Sequence, residues 1–371
     1  MQLRTTKWFQ LAAVGSAAAL PLTSLALEPA QGATTNVNVV GYSVVGPAYK
    51  VLEADFQATP AGQGITFTNS FGASDTETND VVAGQAADLV NLSYEPNMAT
   101  LVTAGRIPPT WANQERTVGG VNPAARFKKQ QTTYHTPGIV TDSVVAFAVR
   151  TGNPLGIKNW GDLIKSGVQV VTPNPVTSGS ARWNLLAGYS AQISIGRTPN
   201  QGQNYLKALI SDTVAQPTSG SAALAAFVAG TGNVLLDYED DINAAIAAGD
   251  QVQIVTPPQT LLIENPIALT NTGVTNPSAE AFYKYLFSTG GQTVFAGLGY
   301  RSVLKSVWTS TENKFPSFKK TTDLLTVESL SGWSAVNPEF FSNTVVFPAG
   351  NTTYPSSGIV TYLEKFAGST A

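Results

Sequence analysis

Val168-Gln169-Val170-Val171-Thr172-Pro173-Asn174-Pro175-Val176-Thr177-Ser178-Gly179-Ser180-Ala181-Arg182-Trp183 passes from a β-run, through a proline-rich turn, into a helix. The valines of 168–171 favour a half-buried pleated strand. Pro173 and Pro175 stop it, because proline has no N–H to give to a ladder. Ser178 then precedes a long helical pattern, in the position from which a short polar side chain caps a helix. Strand, turn and helix in this order are the repeating unit of an α/β sheet.

The same alternation extends on both sides. Val37 to Val40 reads as a strand, Pro47 to Gln57 as a helix with proline in its first turn, and Gly64 to Thr68 as a strand. Thr76 to Ala83 reads as a helix ending before Gly84, Ala87 to Leu92 as a buried strand, and 95–104 as a helix stopped by Gly105. Ser143 to Val149 is an apolar strand and Trp160 to Ile164 opens a short helix. Beyond the quoted stretch, residues 201–210, Ala222 to Ala229 and Asp240 to Ala248 read as helices. Val234 to Leu236, Val252 to Val255 and Leu261 to Leu269 read as strands. Ala279 to Phe287 and Gln292 to Leu298 are helical, and the Asn-, Ser- and Gly-rich tail after 335 has no assigned element. Residues 110–137 break the pattern; they are polar, carry Arg126, Lys128 and Lys129, and read as a solvated loop. The fold class is α/β, and 371 residues suit two lobes rather than one core.

Composition removes many function classes. Charged residues are 12% of the chain and the formal net charge is −3, so no global field draws nucleic acid or acidic lipid. An anionic ligand would need a local site. With no cysteine, disulfides, thiolate nucleophiles and iron–sulfur clusters are excluded. The single histidine, His135, cannot build a multi-histidine metal site. A Ser-His-Asp triad would have to use it, and its polar surroundings (Gln130 to Pro137) read as solvated. Neither a phosphate loop nor a dinucleotide fingerprint is present, and no cofactor is expected.

The first residues read as an export signal. Arg4 and Lys7 precede an apolar run from Leu11 to Leu27, and Ala30-Gln31-Gly32 offers small residues for cleavage. Ser16, Pro21, Thr23 and Ser24 interrupt the run and argue against a membrane anchor. The absence of cysteine rules out a lipid-anchored lipoprotein. No later segment approaches about 18 consecutive apolar residues. The expectation is an exported protein, periplasmic or extracellular, with residues 1–32 removed.

Helix starts carry unpaired N–H groups and the positive end of the helix dipole, so they suit anions. Four segments have the form of a small polar turn running into a helix. In Thr177 to Trp183, Ser178 can donate its hydroxyl, Gly179 admits close approach, and the N–H groups of Gly179 and Ser180 point outward; a plain cap is the other reading. In Phe71 to Glu77, Ser74 and Glu77 have capping-box spacing, so Ser74 either meets a ligand or only caps. Tyr42 to Pro47 and Thr218 to Ser221 complete the set. All lie at strand ends or helix starts, where open α/β sheets place ligands. Glu239-Asp240-Asp241 has the composition of a paired-carboxylate site but reads as acids serving the dipole of the helix they open. Asn91-Leu92-Ser93 and Asn351-Thr352-Thr353 read as chance glycosylation triplets, since Asn91 lies in a strand expected to be buried.

The stretch Val171 to Asn184 resembles the signature of the bacterial sulfate-binding proteins of ABC transporters. Val149 to Ile164, Phe71 to Ser74, Ala87 to Val90, Val234 to Glu239, Ile254 to Pro257 and Tyr283 to Ser288 are similar to the same family, so the likeness runs from about 37 to 340. The resemblance implies a type II periplasmic-binding-protein fold, with two α/β lobes joined by a two-crossover hinge near 138–146 and 254–262. The implied division is 33–140 for the first lobe, 141–257 for the second, and 258–371 for the return to the first lobe with C-terminal helices and tail. It implies a non-enzymatic monomer that delivers sulfate, or a related tetrahedral oxyanion such as thiosulfate, to a membrane ABC permease. Molybdate, tungstate, a small organic solute, or a sensing rather than transporting role are the alternatives. Carried over, Ser43, Ser74, Ser178, Gly179, Ser180, Gly220 and Tyr238 would surround the ion. Four positions depart from the family: Ser43 replaces an aspartate, Ser180 a glycine, Ser219 to Ala223 an arginine-bearing turn, and Tyr238 an indole donor.

Overall fold

The computed structural model describes residues 36–114, 138–318, 320 and 323–367. The leader, Arg126, Lys128, Lys129 and His135 lie outside the described residues. Among those described, no helix is long and apolar enough to cross a membrane.

Eleven strands form one sheet: β1 (Asn36–Tyr42), β2 (Thr66–Gly72), β3 (Leu89–Asn91), β4 (Ile139–Arg150), β5 (Val170–Val171), β6 (Thr213–Ala215), β7 (Val234–Tyr238), β8 (Val252–Val255), β9 (Thr260–Leu269), β10 (Arg301–Ser302) and β11 (Leu324–Leu325). The main order is β2-β1-β3-β9-β4-β7-β5-β6. At one end β1 runs parallel to β2 and β3; at the other, β5 runs parallel to β6 and β7. Helices join the parallel strands, as crossover connections require.

The two halves are joined by β4 and β9. Residues Ile139 to Val144 of β4 pair antiparallel with β9; from Val145 onward β4 pairs with β7 instead. β9 pairs with β11 at Thr260, with β4 through Pro266, and with β3 at Ile267 to Leu269. Both strands are buried almost throughout, and their apolar stretches Val144 to Val149 and Leu261 to Ile263 reflect it, with Asp142, Glu264 and Asn265 as buried polar interruptions. This is the two-lobed type II binding-protein architecture.

The elements follow local chemistry, with informative shifts. The helix Ser74–Ala83 ends at Gly84 (φ 115°) and Glu239–Ala248 at Gly249 (φ 91°), left-handed stops that glycine adopts without strain. The strand expected over 64–68 instead spans Thr66–Gly72, because Gly64 (φ 75°) closes a turn in which the Ile65 N–H donates to the Gly62 carbonyl. Trp160–Ile164 is a 3-10 turn capped reciprocally by Asn159 and Asp162. The tail after 335, left unassigned by composition, forms part of Trp333–Phe341 and then Ile359–Ala367. Trp333 packs edge-on against both Tyr94 (5.1 Å) and Trp183 (4.8 Å), and Phe340 against Tyr189 (4.7 Å). This aromatic burial holds the tail on the body where the two halves meet.

A candidate anion site at the lobe seam

Three helix starts meet where the two halves face each other. Gly179–Ser194 follows the proline turn as the sequence predicts, with Ser178 at its N-cap position. The Ser178 side chain makes no capping hydrogen bond, so the plain-cap reading does not hold for its hydroxyl. Gly220–Val228 is capped by Ser219, which accepts from the Ala222 N–H. Ser74–Ala83 starts opposite them, and its Asp75 N–H donates to the Thr177 carbonyl (3.1 Å).

The capping-box expectation for Ser74 and Glu77 is corrected. The N-cap residue is Ala73, whose carbonyl accepts from the Glu77 N–H. Ser74 Oγ is taken by the Ser93 N–H from the next strand end (2.8 Å), and the residue is buried. A serine oxygen that accepts from a backbone N–H keeps its own proton free to donate elsewhere. Ser43 Oγ does the same, accepting from the Ser221 N–H across the seam (3.3 Å).

The glycines mark close approach. A Cβ on Gly179 would lie 1.9 Å from Ser93 Oγ and 2.6 Å from Tyr94 Cδ1. A Cβ on Gly220 would lie 2.8 Å from Val44 Cγ2 and 3.2 Å from Ser180 Oγ. Tyr238 is fully buried beside Ser180 and Asn265, with its ring 6.1 Å from that of Tyr42. Ser43, Ser74, Ser178, Gly179, Ser180, Gly220 and Tyr238 therefore form one connected cluster.

Residues outside the set carried over from the family complete it. Tyr42 Oη, Ser93 Oγ and Tyr238 Oη are buried, and none has a protein hydrogen-bond partner. The Ser93 carbonyl accepts from Trp183 Nε1 (2.7 Å) and Asn265 Nδ2 (3.3 Å), which fixes the residue against Gly179. Ser93 sits just past the end of β3, where the general rule for open sheets points. Asn91 is buried, accepting from Tyr49 Oη and donating to the Pro266 carbonyl, so the triplet it opens is structural.

The rim is charged. Arg182 Nη2 meets Asp75 Oδ2 at 2.6 Å, and Asp75 Oδ1 accepts from Tyr94 Oη (2.8 Å) and Asn97 Nδ2 (2.7 Å). Arg182 also donates to Asn337 and lies over the rings of Tyr94 and Phe341.

Behind the cluster lies a set of acids. Glu239, Asp240 and Asp241 occupy the first turn of the helix they open, as expected, and they are buried. Glu239 pairs with Arg301 (2.8 Å). Asp240 accepts from Ser143 Oγ, and burial pushes its carboxyl up to about 8, with Ser143 opposing and the Asp241 charge adding. Burial raises Asp241 to about 7, and raises Asp237 beside it. Among the described residues no group of three or more potential ligands could hold a metal ion.

Two open clefts lie off the cluster. One, of about 330 Å³, is lined by Pro47, Asp241, Ala296 and Phe315; the other, of about 630 Å³, by Val82, Glu95, Trp333 and Asn337. Neither contains Ser74, Ser178, Gly179 or Tyr238.

Residues 37–301 match the family of bacterial extracellular solute-binding proteins. The chain is 33% identical to a sulfate-binding protein of Synechococcus elongatus, over 84% of this chain and 85% of that one. It is 29% identical to a thiosulfate-binding protein of Pseudomonas aeruginosa, over 89% of this chain and 96% of that one. Among solved structures it is similar to the sulfate-binding protein SubI from Mycobacterium tuberculosis, with 36% identity, a TM-score of 0.74, and coverage of 83% of this chain and 100% of that one. With the match spanning both halves of the sheet and the seam between them, the chain belongs to the bacterial extracellular solute-binding proteins, and within them to the sulfate-binding protein family.

Proposed function

We propose that the chain captures sulfate or thiosulfate between its lobes and delivers it to a membrane ABC permease. The observation that carries this reading is the meeting of the Ser74 hydroxyl with the helix starts at Gly179 and Gly220, at a place built from neutral groups. Sulfate carries no proton near neutral pH, so it accepts from every side. Backbone N–H groups at helix starts donate to it, and hydroxyls whose oxygen accepts elsewhere keep their proton free to do the same. Hydrogen bonds to a charged partner contribute about 1.5–3 kcal/mol each. Several of them, strengthened by a water-poor surrounding, offset the desolvation of a dianion.

In this reading Ser43, Ser74, Ser178, Gly179, Ser180, Gly220 and Tyr238 contact the ion. The first lobe is 33–140, the second 141–257, and 258–371 returns to the first, with the tail reaching back across the seam. The protein is an exported, non-catalytic monomer without a lipid anchor. Titration calorimetry of the purified chain with sulfate, thiosulfate and molybdate tests the reading. One-to-one binding of sulfate or thiosulfate is expected. Folded, ligand-free protein that gives no heat with any of the three would overturn it.

A further inference from the structure

The helices Trp333–Phe341 and Ile359–Ala367 are tied to each other through the segment between them. Thr361 Oγ1 donates to the Ser342 carbonyl (2.8 Å), Ser357 Oγ to the Pro338 carbonyl (2.9 Å), and Phe347 packs edge-on against Tyr362 (5.1 Å). The tail is therefore one piece. It is fastened to the second half of the sheet. Gln203 Nε2 donates to the Pro355 carbonyl (3.1 Å), Asn204 Nδ2 to Tyr354 Oη (2.9 Å) and Gln216 Nε2 to Glu364 Oε1 (2.8 Å). Arg182 adds Asn337 (3.1 Å), and Tyr189 adds the ring of Phe340 (4.7 Å). These partners come from the helices Gly179–Ser194 and Pro199–Ser211 and from the residue after β6.

Toward the first half the fit is different. Trp333 meets Tyr94 edge-on at 5.1 Å. Beside that contact, an open cleft of about 630 Å³ separates Ser334, Asn337 and Pro338 from Pro96, Ala99 and Thr103 of the helix Glu95–Thr103. Trp333 is only 7% exposed because it is held between Tyr94 of one half and Trp183 of the other. Trp183 in turn gives its indole N–H to the Ser93 carbonyl of the first half (2.7 Å). Several hydrogen bonds on one side, with a ring contact and a cleft on the other, suit a part that travels with one half and docks on the other.

Resting on the reading of this seam as an oxyanion site, we propose that the chain from Trp333 onward is a clasp carried by the second half, and that Trp333 is a positioning residue for ion capture. It docks on Tyr94 when the halves close and so holds the helix start at Gly179 against Ser93. Opening takes Trp333 off Tyr94 and wets its indole, which biases the chain toward closure and slows escape of the ion. The last two helices thus side with the second half, and the chain before them makes the return to the first.

The full chain has no cysteine, so cysteines introduced at exposed positions alone carry spin labels. Lys365→Cys on the clasp is paired with Ala225→Cys of the second half in one variant and with Asn79→Cys of the first half in another. Distances are read by double electron–electron resonance with and without sulfate, and calorimetry on the same proteins establishes binding. The 365–79 distance is expected to shorten with sulfate while the 365–225 distance holds. A 365–225 distance that changes while 365–79 holds, or no change in either in a protein that binds sulfate, would overturn the clasp and leave the proposed function standing.

The second arm follows sulfate rates by stopped flow. Trp333→Ala should release sulfate about tenfold faster, or about 1.4 kcal/mol, with association little changed, and Trp333→Phe should recover most of the loss. Wild-type rates in a Trp333→Ala variant shown to be folded by circular dichroism would overturn the role of Trp333. If that variant does not fold, the labelled pairs, which keep Trp333, decide. No sulfate binding by the native chain would overturn the proposed function and this inference together.

Discussion

The rim and the interior of the seam solve opposite problems. At the rim, Asp75 and Arg182 carry full charges and are fully partnered: the carboxylate takes Arg182, Tyr94 and Asn97, and the guanidinium takes Asp75, Asn337 and the Pro175 carbonyl. Separation of the halves would break the charge-assisted bond that crosses between them, Arg182 to Asp75. In the interior the groups are neutral and several have no protein partner. The difference separates two tasks. Charge holds half to half, and on the proposed reading the neutral donors meet the ion. A guanidinium inside the cage would favour any anion without discriminating between them; geometry and proton count can discriminate.

The comparison breaks hardest at Gly179. Gly179→Ala places a methyl group 1.9 Å from Ser93 Oγ. Gly179 and Ser93 face each other across the seam rather than within one core, so the chain should still fold while sulfate affinity falls about 100-fold or more, as read by calorimetry beside an unchanged circular dichroism spectrum. Ser74→Ala comes next. It removes one donor to the ion and strands the Ser93 N–H, and sulfate should weaken by about 1.5–3 kcal/mol. Binding equal to wild type would take Ser74 out of the cage.

Arg182→Gln probes the rim and should act more gently. It leaves Asp75 with its two neutral donors, and the side chains concerned are 13% and 15% exposed, which moderates the loss. Sulfate affinity should fall about tenfold, roughly 1.4 kcal/mol, with a larger radius of gyration by small-angle scattering in ligand-free protein. Unchanged scattering and affinity would mean that the ion alone closes the lobes.

The smallest effect concerns the acids behind the cage. The folded carboxyls of Asp240 and Asp241 lie at about 8 and about 7, above the ordinary carboxylate range. Between about pH 4 and those values the folded chain holds protons that the unfolded chain has released. Stability should therefore be greatest near pH 4–5, decline as pH rises to about 8, and level off above that. Ligand-free thermal midpoints should be several degrees higher near pH 5 than near pH 8, and Asp240→Asn should flatten the slope. A midpoint that climbs over the same interval would show these acids to be ionised in the folded state.

How far the sequence carries depends on where each partner comes from. Ser178, Gly179 and Ser180 were legible because a proline turn followed by a helix start is local chemistry. β4 was legible through its apolar stretch Val144 to Val149 and β9 through Leu261 to Ile263, although Asp142, Glu264 and Asn265 interrupt the pattern; β4 exchanges β9 for β7 after Val144. Ser93 was not legible as a member of the seam cluster, and Tyr42 only as the start of a candidate turn, its side chain not singled out. Ser93 gains its meaning from Gly179, and Tyr42 from Tyr238, partners brought in only by the fold. The acids at 239–241 were legible as the charged start of a helix, but their burial was not, because it comes from the packing of Arg301, Ser143 and Asp237 against them. The tail was opaque because its order depends on Trp333 reaching Tyr94 and Trp183, far away along the chain.

The most direct test of the central claim is a crystal of the protein grown with selenate, the selenium counterpart of sulfate, measured at the selenium absorption edge. The account predicts a single strong anomalous peak inside the seam, within hydrogen-bonding distance of Ser74 Oγ and the N–H groups of Gly179, Ser180 and Gly220. A peak on the outer surface alone, or lobes closed on an empty seam at saturating selenate, would contradict it.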